Sequence, residues 1–353
     1  MKDILNLWRI GIFCLSLGLI FMASTAVAGP KWEISEDSWM QLSFLGQVHY
    51  SFMDKAADED DFYLRRGRII LAGQIQDGIK FFVETDNDNA GKYGVEASTD
   101  IQDAWMDVRL GRLGNSEHWV QAGLIMLPFS FENRSSAVSL LGIDYNAETI
   151  KFVNHFVWRD IGVEFHGNLG EKFAYRLGVF DGYEATTKNP EADLRFTGHL
   201  AFNLIGKVET GWFYTNNRLG KSQYLTVGIG HDSQGDATLV DSVVQDSEAT
   251  VLDFQSGFNL GDTGLSLTVN GAYYDWDNSA FKGDTAFLES GLLYDKYMVT
   301  LKYGLQDQDD KEEIEDATVG LHYFIKGHNA RVGLEYRWGD SNDWTLLGVQ
   351  FFL

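Results

Sequence analysis

From residue 40 to residue 52 the chain alternates. Met40, Leu42, Phe44, Val48, Tyr50 and Phe52 take even positions, and Gln41, Ser43, Gln47, His49 and Ser51 take odd ones. A period of two marks a β-strand with one apolar and one polar face. The alternation returns at 161–165, 173–179, 194–204, 265–269 and 330–338. Segments of about ten residues separated by turn residues predict a transmembrane antiparallel β-barrel. Hydropathy windows miss such strands because every second residue faces the lumen.

The links between segments alternate in length. Short ones fall at 76–78, 169–172, 261–264, 295–296 and 326–329. Longer polar ones fall at 53–61, 87–98, 181–193, 233–247, 276–285, 307–313 and 339–343. Barrels pair short periplasmic turns with longer outer loops in this way. A literal count gives an odd number of strands, because residues 208–216 (VETGWFYTN) also read as one. Counting them breaks the short–long rhythm. As an inner-side connection they leave about sixteen strands, and bacterial single-chain barrels are even.

The chain stops on LLGVQFFL, with no polar tail. Free termini usually fray into water. A last strand with Leu347, Val349, Phe351 and Leu353 toward lipid would instead close the barrel on the first, leaving no edge. It resembles the C-terminal assembly signal of outer-membrane proteins, with Leu353 in the last place and Phe352 off register. Aromatics near strand ends, such as Tyr294, Tyr297, Tyr336 and Trp338, suit interfacial girdles. A secreted β-sandwich or propeller also alternates and is the soluble alternative.

At the other end, Lys2 and Arg9 precede an apolar run over 10–23 and the A-x-A pattern of Ala26, Val27 and Ala28. This predicts a secretory signal peptide over 1–28. A lead-in over 29–37 and a barrel over 38–353 follow. The single cysteine, Cys14, falls in the signal, so no disulfide or thiolate site is expected after it. With 44% hydrophobic and 14% aromatic residues the chain is too apolar for disorder. A net charge of -23 excludes nucleic-acid binding through a general basic footprint.

Several stretches, in order, resemble the phosphate-selective porin O and P family: FYLRRGRIILAGQI (62–75), IQDAWMDVRL (101–110), LPFSFEN (127–133), WRDIGVEFHG (158–167), LGVFDG (177–182), RFTGHLAFN (195–203) and YFIKGHNARVGLEYRW (323–338). The resemblance implies a sixteen-stranded outer-membrane channel, usually a homotrimer, that passes small solutes passively. It places the protein in the outer membrane of a Gram-negative bacterium, in contact with lipid and lipopolysaccharide. Met126 stands where the resemblance leads one to expect a lysine before Pro128 and Phe129.

Residues 127–157 are too long for an ordinary link and too apolar for a solvent loop. They are expected to fold inward as the third outer loop and narrow the pore, with Arg134, Asp144 and Glu148 as its pore-facing charges. The alternative is an outer cap on a trimer neighbour. Extending each strand's register puts Arg66, Arg68, Lys80, Arg109, Arg176 and Arg195 on the lumen face, with Glu84, Asp103, Asp107 and Glu164. A Lys or Arg on the lipid face at the midplane would cost roughly 2–4 kcal/mol. Arg66 and Arg68 either select anions or pair with these carboxylates and brace the wall. Phosphate selection needs several convergent, unpaired donors, so the expectation is general diffusion with a mild preference for phosphate or another oxyanion.

No cofactor or metal is expected. Residues 86–91 (DNDNAG) lack the later ligands of a calcium loop. The acidic runs 54–61 and 307–316 read as solvated outer loops, binding divalent cations weakly at most. A barrel-embedded hydrolase and an adhesin or structural barrel are the rival functions. The eight histidines lie in different segments, with no accompanying nucleophile motif.

Overall fold

The computed structural model describes residues 29–53, 60–149, 151, 158–182, 193–240, 243–341 and 343–353. The expected signal peptide lies outside them. The strands are β1 (Lys31–Ser35), β2 (Ser38–Met53), β3 (Asp61–Gln76), β4 (Ile79–Asp86), β5 (Asp100–Leu113), β6 (Ser116–Met126), β7 (Arg159–Leu169), β8 (Phe173–Phe180) and β9 (Arg195–Ile205). They continue as β10 (Tyr224–Val240), β11 (Val243–Asn259), β12 (Leu265–Asp277), β13 (Lys282–Tyr294), β14 (Tyr297–Gln308), β15 (Ile314–His328), β16 (Ala330–Gly339) and β17 (Trp344–Phe352). Each of β2 to β17 pairs antiparallel with the next, and β17 returns to β2. These sixteen strands make a closed barrel, as the even count required. Every ladder hydrogen bond then has a partner, the condition that lipid imposes.

The closure explains the apolar terminus. β17 runs against β2 from Trp344 opposite Met53 to Phe352 opposite Leu45. Leu353 and Phe44 then exchange backbone hydrogen bonds of 2.9 and 3.0 Å. β1 continues along the same edge of β2, with Lys31 opposite Gln41. Gly46 is small for a reason: a Cβ there would lie 2.2 Å from the Phe351 ring, which covers it.

Alternate side chains form an apolar outer belt, including Phe44, Ile69, Val163, Phe202, Leu252 and Leu321. Tyr297 and Tyr323, 5.0 Å apart, sit at one rim, and Tyr336 and Trp338, 5.8 Å apart, at the other. At the tight turn between β3 and β4, Gly78 has φ +78°, which favours glycine.

Three links differ from expectation. Residues 233–247 are mostly strand, because β10 and β11 continue pairing to Val240 opposite Val243. Residues 276–285 shrink to a link at 278–281. A ladder needs only backbone partners, so polar strands persist where an apolar pattern would end them. The third is residues 206–223, between β9 and β10. They join the strands on the inner side, as parity required, but turn up into the lumen. There Tyr214 bridges Ser135 in parallel.

Candidate functional site

The long third outer loop leaves β6 at Leu127 and crosses the lumen. Leu127 N–H bonds to Trp158 carbonyl oxygen at 2.8 Å, pinning the two ends of the loop together. Phe129 reaches the far wall and packs against Tyr274 and Trp276 of β12. The Phe131 N–H donates to Asp253 of β11 at 2.6 Å. The chain then returns to the near side. The Gln47 and Gln350 amides donate to the Ala137 and Val138 carbonyls, and Arg331 donates to those of Leu140 and Gly142. Glu335 accepts from the Ile143 N–H at 2.9 Å. The described part of the loop thus spans the lumen. Of the expected stretch 127–157, residues 150 and 152–157 lie outside the described residues.

A β-bulge builds the clamp on this loop. Gln47 pairs with Arg66 and Val48 with Leu64, so Arg65 is an extra residue in β3. Bulges re-aim side chains, and here two consecutive arginines reach Asp144, Arg65 at 2.5 Å and Arg66 at 2.8 Å. Burial opposes the Asp144 charge, but the two guanidiniums outweigh it and hold the carboxyl well below its usual range. Strict alternation cannot reveal Arg65, because the bulge breaks the period.

The inner-side connection supports the loop from below. Asn216 donates to Glu132 at 2.8 Å and accepts from the Leu141 N–H at 2.8 Å. Asn146 bridges Glu132 and Glu289, and Asn270 also donates to Glu289. Burial, then the neighbouring Glu289 carboxylate, push the Glu132 carboxyl above its ordinary value. Burial and a like charge both favour the neutral acid over the carboxylate. The apolar trio Trp212, Phe213 and Tyr214 was a sequence signal of this inward turn, since three rings in an inner link need cover.

The expected wall charges occupy the lumen side. Arg68 contacts Glu84 and Asp86 at 2.7 Å each. Glu164 takes Arg134 and Arg176, both at 2.6 Å. Arg195 holds Asp232 at 2.8 Å, and Asp107 meets His166 at 3.0 Å. Asp103 accepts from Arg159, a cation that the strand register had not singled out. Arg109 pairs with Asp77 at the inner rim. Lys80 lies 4.3 Å over the Trp119 ring. Of the three loop charges, Asp144 and Glu148 border open space, whereas Arg134 points into the wall toward Glu164 and the Met126 carbonyl. Buried pairs of this kind lose much if one partner is removed, so they brace the barrel.

Among the described residues, two larger cavities lie beside the loop. An outer one of about 430 Å³ is bordered by Asp144, Glu148, Glu335, Lys302 and Arg337. An inner one of about 330 Å³ is bordered by Arg68, Glu84, Arg159 and several apolar side chains. Tyr145 borders both. Its hydroxyl donates to the Ser135 carbonyl at 2.6 Å, and its ring stands edge-on to Trp158 and under Arg66. Among the described residues no group of three His, Cys, Asp or Glu side chains is placed to hold a metal, and no serine hydroxyl is hydrogen-bonded to a histidine.

A model of the phosphate-selective porin O and P family matches residues 43–236, more than half of the chain. Among solved structures, OmpF of Salmonella typhi, in complex with daunomycin, superposes with a TM-score of 0.62 at 11% identity, covering 91% of this chain and 100% of that one. The outer-membrane channel DcaP of Acinetobacter baumannii gives 0.58 at 14% identity, covering 93% and 100%. OmpT of Vibrio cholerae in its trimer form gives 0.56 at 11%, covering 90% and 100%. At these identities the likeness concerns the fold. No curated protein sequence matches the chain.

Proposed function

The chain belongs to the phosphate-selective porin O and P family, and from that premise we propose a constricted diffusion channel with a mild preference for anions. It is an outer-membrane porin that passes small hydrophilic solutes passively. The observation that carries the constriction is Tyr145, the side chain between the outer and inner cavities. The preference is mild because the guanidiniums around that waist already hold carboxylates: Arg65 and Arg66 hold Asp144, Arg68 holds Glu84, and Arg159 holds Asp103. Paired donors cannot converge on a bare oxyanion as phosphate selection requires. We read the protein as a channel rather than a hydrolase. We take residues 1–28 as its signal peptide, the assembly as a homotrimer, and its surroundings as Gram-negative outer-membrane lipid and lipopolysaccharide.

Reversal potentials across a tenfold KCl gradient test this. The expected value lies slightly on the anion side, far from ideal selectivity, and a clear cation preference would overturn it. Arg66→Gln is expected to leave the potential where it was, since Arg66 is buried on Gln47 and Asp144. Lys302→Glu is expected to move it toward cations, because that ammonium borders the outer cavity.

A further inference from the structure

The inner cavity offers no spare charge to a solute of either sign. Arg68 and Arg159 border it, but Glu84 and Asp86 hold the first and Asp103 holds the second. An anion therefore finds no unmatched cation in this lining, and Met126 stands where a lysine was expected. A cation meets two guanidiniums. Either ion would also shed water against Leu45, Ile70 and Phe352.

The neutral part of the lining is ordered. Gln41 of β2 lies opposite Ala72 of β3, and Ala72 opposite Phe82 of β4. One row across the wall thus runs from an amide, over a small side chain, to a ring, about 10 Å in two strand spacings. Trp105, opposite Phe82 on β5, stacks on it at 5.1 Å and 11°. Phe213 and Trp212 meet Phe82 edge-on at 5.5 and 5.6 Å. Trp105 covers the side of the Phe82 ring toward β5. Its row neighbour on β3 is Ala72, whose methyl group is too short to cover a ring, and both residues border the cavity. At the other end of the row, Gln41 and the next lumen-facing residue, Ser43, border it too. Among the described residues neither of these two side chains is hydrogen-bonded.

We propose that the inner cavity is a binding subsite for neutral planar aromatic solutes carrying a hydrogen-bonding group, with the ring over Ala72 against Phe82 and the group toward Gln41 and Ser43. The solute ring extends the stack that Trp105 and Phe82 begin, where ring pairs gain more than the area they bury. An amide on that ring takes the hydrogen bonds that Gln41 and Ser43 otherwise leave to water. This rests on the channel reading above and names one class of solute that the channel retains. A cavity of about 330 Å³ beside Tyr145 accommodates one such molecule at a time, so occupancy interrupts the ion current.

The test is block of KCl current through the purified protein in planar bilayers at neutral pH. Nicotinamide, a neutral ring amide, is expected to half-block at a concentration roughly tenfold below that of acetamide, the effect of burying part of one ring. Nicotinate, the same ring with a carboxylate, should need about threefold more than nicotinamide or higher. Ala72→Leu fills the place of the ring and should bring nicotinamide and acetamide to within about threefold. Gln41→Leu should weaken nicotinamide by about threefold through the lost hydrogen bond. Nicotinamide no better than acetamide in the wild-type channel would overturn the subsite while leaving the channel reading intact, and that comparison needs no variant to assemble. Nicotinate blocking as well as nicotinamide would overturn the preference for a neutral solute. Block unchanged by Ala72→Leu would overturn the placement of the ring. No current at all would overturn both readings together.

Discussion

Removal of residues 135–146 is expected to raise single-channel conductance severalfold. This stretch carries Tyr145, the side chain between the two cavities, and Asp144, which ties Arg65 and Arg66 across the waist. Resistance to ion flow concentrates at the narrowest section, so opening it matters more than any change in charge. The barrel should still close, because none of these residues pairs with a barrel strand. The deletion leaves Arg331 and Glu335 without the loop groups they bind. Both border the lumen, which floods once the loop is gone, so water can replace those partners. Conductance measured on trimers of unchanged gel mobility checks this. A wild-type value would place the loop outside the ion path.

Deletion of residues 349–353 should abolish assembly. Val349, Gln350, Phe351 and Phe352 pair with Val48, Gln47, Gly46 and Leu45, and Leu353 adds two hydrogen bonds to Phe44. Without them residues 44–48 of β2 present an unpaired edge to lipid, where each unsatisfied backbone group costs several kcal/mol. Loss of the heat-modifiable folded band on gels is the measurement. A folded band at the wild-type position would mean that β17 does not close the barrel. Phe351→Ala is the milder version. It uncovers Gly46 but keeps the ladder, so assembly should slow rather than fail.

The architecture was legible because lipid and water enforce it residue by residue. In β2 each odd residue had to be compatible with the lumen and each even one with hydrocarbon, and a one-residue slip would reverse both. Turn parity then corrected the strand count at 208–216. The candidate site was less legible. Its wall charges could be assigned to a face, but not to partners, since Arg134 and Arg176 converge on Glu164 from a loop and a strand. The bulge at Arg65 and the inward turn around Tyr214 depend on tertiary contacts that no period encodes. Arg331 and Lys302 fall on the lumen face by register, yet their importance arises from where the loop passes them.

The loop's fastenings also dictate an order of events. Residues 138–142 are held by Gln350 and Arg331, about two hundred positions later in the chain. Asn216 holds the loop from the middle of the sequence. Contacts this distant form only after the intervening chain has been placed, since closing so large a loop must precede any gain from it. The third loop therefore cannot reach its final seat until β16 and β17 are in position. Sealing the wall and narrowing the passage are then one event, and a barrel caught before its last strand inserts would be both open-sided and wide.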